Sequence, residues 1–128
     1  MADNRHNQAP STLSVIVPTY QEVESLGPLL ERLAPLWESG LLLEVLILDD
    51  DSQDGTEALI ADLDLPWVRL IIRRTDRGLS AAVLHGLAEA RGEVLIVMDA
   101  DLSHPPEVIP DFVAALDSGA DFVVGSRY

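Results

Sequence analysis

The sequence has no cysteine and no lysine, few aromatic residues, and no long uninterrupted apolar run. Without cysteine there is no disulfide framework, no thiolate zinc site and no cysteine nucleophile. Without lysine, all the basic side-chain charge rests on 8 arginines, set against 22 acidic groups for a net charge of −14. A nucleic-acid-binding surface needs a basic stripe to meet the phosphate backbone, and this composition argues against one. An acidic chain binds an anionic ligand through a few placed arginines, backbone N–H groups or a bridging divalent metal, and the excess of carboxylates fits the metal. The longest apolar run, Leu41 to Leu48, is broken by Glu44 and falls far short of the ~20 residues of a membrane-spanning helix. Met1 to Pro10 is polar and lacks the apolar stretch of a signal peptide, so residues 1–11 read as a disordered tail.

What is present is the composition of one folded domain. The chain has 128 residues, 48% hydrophobic and 23% charged, which is enough for a single apolar core and too little for two. Short β-branched-rich runs recur at Leu13–Val17, Leu43–Leu48, Val68–Ile72, Val94–Met98 and Phe122–Val124. Between them, helical spacing covers Val23–Trp37, Thr56–Leu63, Leu79–Ala90 and Glu107–Leu116. Strand alternating with helix predicts an α/β fold with a mostly parallel sheet covered on both faces, and near-continuous apolar strands agree with that burial. Asp54 followed by Glu57 reads as a capping box, and Gly92 and Gly119 read as helix stops. Pro35 and Pro110 are expected to break or restart a turn where they stand.

In such a sheet, ligands bind beyond the carboxyl ends of the strands, near the point where strand order reverses. The residues just after each strand are Pro18-Thr19-Tyr20-Gln21-Glu22, Asp49-Asp50-Asp51-Ser52, Arg73-Arg74 and Asp99-Ala100-Asp101. In an extended stretch Asp99, Asp101 and Ser103 share one side while Ala100 and Leu102 turn to the core, a hard-oxygen arrangement suited to Mg²⁺ or Mn²⁺. The plainer alternative is a helix-entry loop in which Asp or Ser caps the helix begun at Pro105 and Pro106. Three adjacent acids at 49–51 repel one another unless a positive or hydrogen-bonding group answers them. Tyr20 offers a stacking platform for a nucleobase, with Asp50 accepting N–H groups from the base edge; otherwise it is a half-buried ring. Arg77, at a helix entrance where the dipole does not favour a cation, suggests a ligand anion, with a solvated arginine the alternative. His85 reads as a packed or surface histidine, and His104 flanks the proposed metal loop.

Four strings now appear in order: Val15 to Glu22 (Val-Ile-Val-Pro-Thr-Tyr-Gln-Glu), Leu48 to Thr56 (Leu-Asp-Asp-Asp-Ser-Gln-Asp-Gly-Thr), Met98 to Pro105 (Met-Asp-Ala-Asp-Leu-Ser-His-Pro) and Gly125 to Tyr128 (Gly-Ser-Arg-Tyr). Together they resemble the motif series of family 2 glycosyltransferases of the GT-A fold. With His85-Gly86-Leu87 they look most like the dolichol-phosphate and bacterial polyprenol-phosphate mannosyl- and glucosyltransferases. The resemblance implies that Pro18, Tyr20 and Glu22 line a nucleobase pocket and that Asp50 bonds the base. It places Asp99 at the ribose or the metal, Asp101 on the metal, and Ser103 where some relatives have a further ligand. Arg127 would approach the diphosphate or the sugar, so that Asp101 and Arg127 are the groups at the reaction centre. Gln21 stands where Asn is usual in the family, and Asp51 where Gly or Asn is usual.

The reaction so implied is inverting, metal-assisted transfer of mannose or glucose from a GDP- or UDP-sugar to a polyprenyl phosphate. The resemblance covers residues 12–128 as a nucleotide-sugar-binding domain. Relatives continue past Gly-Ser-Arg-Tyr with an acceptor-side segment, so the expectation is a donor-binding half, weakly active or inactive alone. The whole protein would act at the cytoplasmic face of a membrane, associated through a segment absent here; a homodimer stays open. Two rivals compete. A receiver-type signalling domain needs an acidic pair after the first strand and a lysine after the fifth, and neither is present. A nucleotidyltransferase would want a glycine-rich first loop with basic residues, where this chain has Tyr20 and Glu22. A dinucleotide module would need G-x-G-x-x-G after the first strand.

Overall fold

The computed structural model describes residues 12–103 and 105–117. Strand β1 is Leu13–Thr19, helix α1 Val23–Glu38, β2 Leu42–Asp49, α2 Thr56–Leu63, β3 Val68–Ile72, α3 Leu79–Glu89 and β4 Val94–Val97. A 3₁₀ turn, Pro106–Val108, then leads into α4, Ile109–Asp117. The expected tail, the Gly119 stop, the Phe122–Val124 strand, His104 and Arg127 lie outside the described residues.

Among the described residues the sheet is four-stranded and wholly parallel, in the order β3-β2-β1-β4. Every residue of β1 is buried, as a central strand with helices on both faces requires. On one face Leu13, Val15 and Val17 meet Leu26, Leu29, Leu30 and Leu33 of α1 and Ile109 and Val113 of α4, with Leu59 and Ile60 of α2 packed against them. On the other, Ile16, Leu46 and Leu48 meet Ala82 of α3. The alternation of period two along β1 thus divides one strand between two cores. Arg32 of α1 grips Glu107 of the 3₁₀ turn through two hydrogen bonds, fixing the approach to α4.

Three details differ from the sequence reading. Helix α1 runs unbroken through Pro28 and Pro35. Pro35 is exposed, as is Glu31, whose carbonyl loses a partner to the proline ring, so the break faces solvent while the buried leucine stripe holds the helix. Pro110 falls in the first turn of α4, where its missing N–H has no intrahelical role. Gly92 is not a left-handed stop, since α3 ends through extended Ala90. Instead a Cβ at Gly92 would lie 2.7 Å from both the amide and the hydroxyl of Ser14, so glycine is needed for close approach of the two segments.

The capping box is also rearranged. Gly55 is the residue at the start of α2, in the left-handed region, and Asp54 sits one step earlier. Its Oδ1 accepts the amide (3.2 Å) and hydroxyl (2.7 Å) of Thr56, and its Oδ2 accepts the Val23 amide at 3.2 Å. One carboxylate therefore ties the starts of two helices together. Burial pushes the Asp54 carboxyl up, but the hydroxyl and amide bonds outweigh that and hold it below its ordinary 3.8.

Candidate functional site

With β2 and β3 on one side of β1 and β4 on the other, chain order reverses between β1 and β4. The carboxyl ends of those strands are where a parallel sheet presents a crevice. A cleft of about 150 Å³ opens there, lined by Pro18, Thr19, Tyr20, Glu22, Asp50, Leu79, Ala82 and Asp99. Five of the residues singled out from sequence, Pro18, Tyr20, Glu22, Asp50 and Asp99, share it. Two larger hollows, about 220 Å³ beside Asp51 and Arg74 and about 500 Å³ beside Thr75 and Leu84, lie on the β3 side and hold none of the five. Volume is a poorer guide here than the convergence of polar groups at the topological switch.

The three adjacent aspartates are each answered differently. Asp49, 1% exposed, accepts the Thr19 hydroxyl at 2.7 Å and the Ser52 hydroxyl and amide at 2.6 and 2.8 Å. It is a knot between the ends of β1 and β2 and is sealed from the cleft. Asp50 takes the Arg73 guanidinium on Oδ1 at 2.9 Å and the Gly78 amide on Oδ2 at 2.6 Å. Gly78 has a φ of 126°, a conformation only glycine adopts readily, and that is what turns its N–H onto Asp50. Each carboxylate oxygen carries two lone pairs, so these bonds orient Asp50 and leave acceptor capacity toward the cleft. Asp51 is half-buried and, among the described residues, takes only a long 3.4 Å contact from Gln53.

Arg73, which holds Asp50 at the cleft, is the residue whose place the sequence did not reveal. The strand-end arginine pair was visible, but its role was not. Arg73 is 6% exposed and donates to Asp50, to the Asp76 carbonyl at 2.7 Å and, through Nε, to His85 Nδ1 at 3.2 Å. Buried arginine is rare unless paired, and the nearby run of acids was the available signal. His85 is accordingly a packed acceptor in this network, as its place inside a helix suggested.

The acidic β4 loop differs in backbone from the extended stretch expected. The strand ends at Val97, and residues 100–103 form a turn in which Leu102 has a φ of 63°. The expected alternation of burial holds for residues 99–101 and is lost at Leu102 and Ser103, which are both half-buried. Ala100 is fully buried and Leu102 packs against the core, while Asp101 is exposed and Asp99 and Ser103 are half-buried. The Ser103 amide donates to Asp101 Oδ1 at 3.0 Å. Glu22 stands between the two acidic groups: its carboxyl is pushed above its ordinary 4.5, chiefly by burial and further by Asp101, Asp99 and Asp49, against the pull of the Tyr20 amide. Among the described residues, no three His, Asp or Glu side chains are grouped to hold a metal by themselves. Tyr20 is 51% exposed, and the Arg77 guanidinium carbon lies 5.4 Å from the centre of its ring.

All four strand-end loops contain a non-glycine residue in the left-handed region: Gln21 after β1, Asp51 and Gln53 after β2, Asp76 after β3 and Leu102 after β4. Gln21 and Asp51 are the two positions that departed from the family pattern. Their φ of 55° explains why asparagine or glycine is usual there.

The model of "Glycosyl transferase family 2" matches residues 14–128. A dolichol-phosphate mannosyltransferase of Pyrococcus furiosus is 47% identical over 117 residues, covering 91% of this chain and 33% of the relative. The chain thus spans about a third of the length of that protein. Among solved structures, a mannosyltransferase from Pyrobaculum calidifontis in complex with GDP-Man and Mn²⁺ is 29% identical, with a TM-score of 0.59 over 73% of this chain and 28% of its own. Glucosyl-3-phosphoglycerate synthase from Mycobacterium tuberculosis in complex with UDP is 26% identical, with a TM-score of 0.72 over 85% of this chain and 41% of its own. The GT-A fold is common to these neighbours and to this chain.

Proposed function

Since the chain belongs to glycosyl transferase family 2, we propose that its β1–β4 cleft receives the nucleotide of a GDP- or UDP-hexose and that the whole protein transfers mannose or glucose, with inversion, to a polyprenyl phosphate. The observation that carries this reading is the meeting of Pro18, Tyr20, Glu22, Asp50 and Asp99 in one cleft at the switch point of the sheet. Likeness to a dolichol-phosphate mannosyltransferase supports a lipid phosphate as acceptor. With a lipid acceptor the reaction takes place at a membrane surface, and we propose the cytoplasmic face. Among the described residues no helix is long and apolar enough to cross one.

In this reading Tyr20 supports the base, and Asp50, oriented by Arg73 and Gly78, accepts from the base edge. Asp99 meets the ribose and shares with Asp101 and Ser103 the holding of Mg²⁺ or Mn²⁺, with Asp101 the principal ligand. The donor set fits: these are hard oxygens at a rim where carboxylates crowd Glu22, and such ions take one or two carboxylates and complete their shell with substrate phosphates. Bound there, the ion neutralises charge on the leaving diphosphate. Arg127, outside the described residues, is proposed to approach the diphosphate or the sugar. The acceptor phosphate is ionised at neutral pH, so its oxygen attacks the anomeric carbon as the bond to the diphosphate breaks, and no side chain has to remove a proton.

Calorimetric titration with GDP, UDP and ADP, each with and without Mn²⁺, tests the reading. We expect GDP or UDP to bind in a Mn²⁺-dependent manner and ADP to bind weakly; indifference to all three sinks it. Asp101→Asn should abolish the Mn²⁺ dependence and leave metal-free nucleotide binding within roughly threefold of wild type, since it removes the principal metal ligand and no base contact.

A further inference from the structure

We infer that Arg77 is a placeholder in the base site: its guanidinium covers the face of Tyr20, and an incoming base displaces it onto the ligand's diphosphate. The inference rests on the reading of the cleft given above. Three observations carry it. The Arg77 guanidinium carbon lies 5.4 Å from the Tyr20 ring centre, within cation–π range, and Tyr20 is exposed at the mouth of the cleft. No hydrogen bond or ion pair holds Arg77 among the described residues, so that ring contact is its anchor. The backbone on either side is pinned, with the Asp76 carbonyl accepting from Arg73 and the Gly78 amide donating to Asp50.

A fixed Cα with a long unanchored side chain makes a lever rather than a loose loop. A base stacked on Tyr20 and a guanidinium on the same ring face exclude each other. The released cation, held against the cleft-lining Tyr20, is next to a cleft whose charged side chains are Glu22, Asp50 and Asp99, at which an anionic diphosphate is the ligand that needs it. Arg77 therefore acts against a bare nucleoside and for a nucleoside diphosphate, so it discriminates by phosphate content without touching the base edge.

The test measures affinities of guanosine and GDP, and of uridine and UDP, for wild type and Arg77→Ala in Mn²⁺ buffer. Using the base whose diphosphate binds wild type, Arg77→Ala should bind the nucleoside roughly two- to fivefold more tightly, the weight of an exposed cation–π contact. It should bind the diphosphate roughly tenfold more weakly. Adding Tyr20→Leu should remove the nucleoside gain, because no ring is left to cover. Shifts of both ligands in the same direction, or no shift of the nucleoside, overturn the placeholder role while leaving the cleft assignment intact. Wild-type protein that binds neither diphosphate overturns both.

Discussion

Arg73 and Asp50 are 23 residues apart in sequence and meet where neither is well solvated, with side chains 5% and 12% exposed. Replacing Arg73 with methionine leaves Asp50 without its countercharge and the Asp76 carbonyl and His85 without their donor. We expect a loss of about 3 kcal/mol in urea unfolding, together with weaker nucleotide binding because Asp50 is no longer oriented. Charge-keeping Arg73→Lys should recover part of the stability but not the multi-point orientation. A second residue-level expectation concerns the left-handed positions. Asp51→Gly should gain about 0.5–1 kcal/mol, since glycine removes left-handed strain and one like charge at the cost of some chain entropy. The gain should appear as a higher midpoint in the same titration. At this scale the sequence was partly legible. Tyr20, Glu22 and Asp50 could be placed because each follows a strand, whereas the Arg73–His85 bond depends on how α3 lies over β1 and β2 beside the end of β3, which no local pattern encodes.

The elements themselves were legible because the apolar runs are strong: all four described strands, and the four helices within a few residues, sit where periodicity puts them. What escaped was punctuation. Whether a proline breaks a helix depends on which face it occupies, and whether a glycine stops one or makes room depends on what packs over it. Gly86 and Gly92 are both of the second kind. A Cβ at Gly86 would lie 2.5 Å from Ile16 Cγ2 and 2.9 Å from Leu48 Cδ2, so Gly86→Ala should cost about 1–2 kcal/mol despite the better helix propensity of alanine. Gly92→Ala meets backbone as well as side chain at Ser14 and should cost more, a ranking that thermal unfolding can check. The Asp54 link between α1 and α2 gives a pH signature. Because its carboxyl is held below 3.8, the stability it contributes is present above that value and lost as pH falls through the lowered one. Asp54→Ala should therefore cost about 1–2 kcal/mol at neutral pH, with the gap to wild type closing in strong acid.

Seen whole, the sheet has one closed end and one open end. At the amino ends of the strands Glu44 is buried and accepts the Ser14 hydroxyl and the Arg91 amide at 2.7 Å each, while Gly92 donates to Ser14 at 2.8 Å; that end is stitched shut. At the carboxyl ends Asp49, Asp99 and Asp101 each push the half-buried Glu22 carboxyl upward, and a cation held at the proposed metal site would lower that repulsion. Mn²⁺ with GDP or UDP should thus raise the melting temperature more than either alone, with a stabilisation of about 2.7 kcal/mol once the ligand is at a hundred times its Kd. A rise with Mn²⁺ alone that nucleotide does not augment would count against a shared site. The left-handed residues that crown each strand have a further consequence, for descent rather than for stability. Gln21, Asp51, Asp76 and Leu102 hold left-handed conformations that cost any side chain some strain, so glycine or asparagine fits these bends better, and a β-branched residue worse, than what stands there now. A new ligand preference is reached more readily by exchanging the side chains hung from this frame than by rebuilding the frame itself.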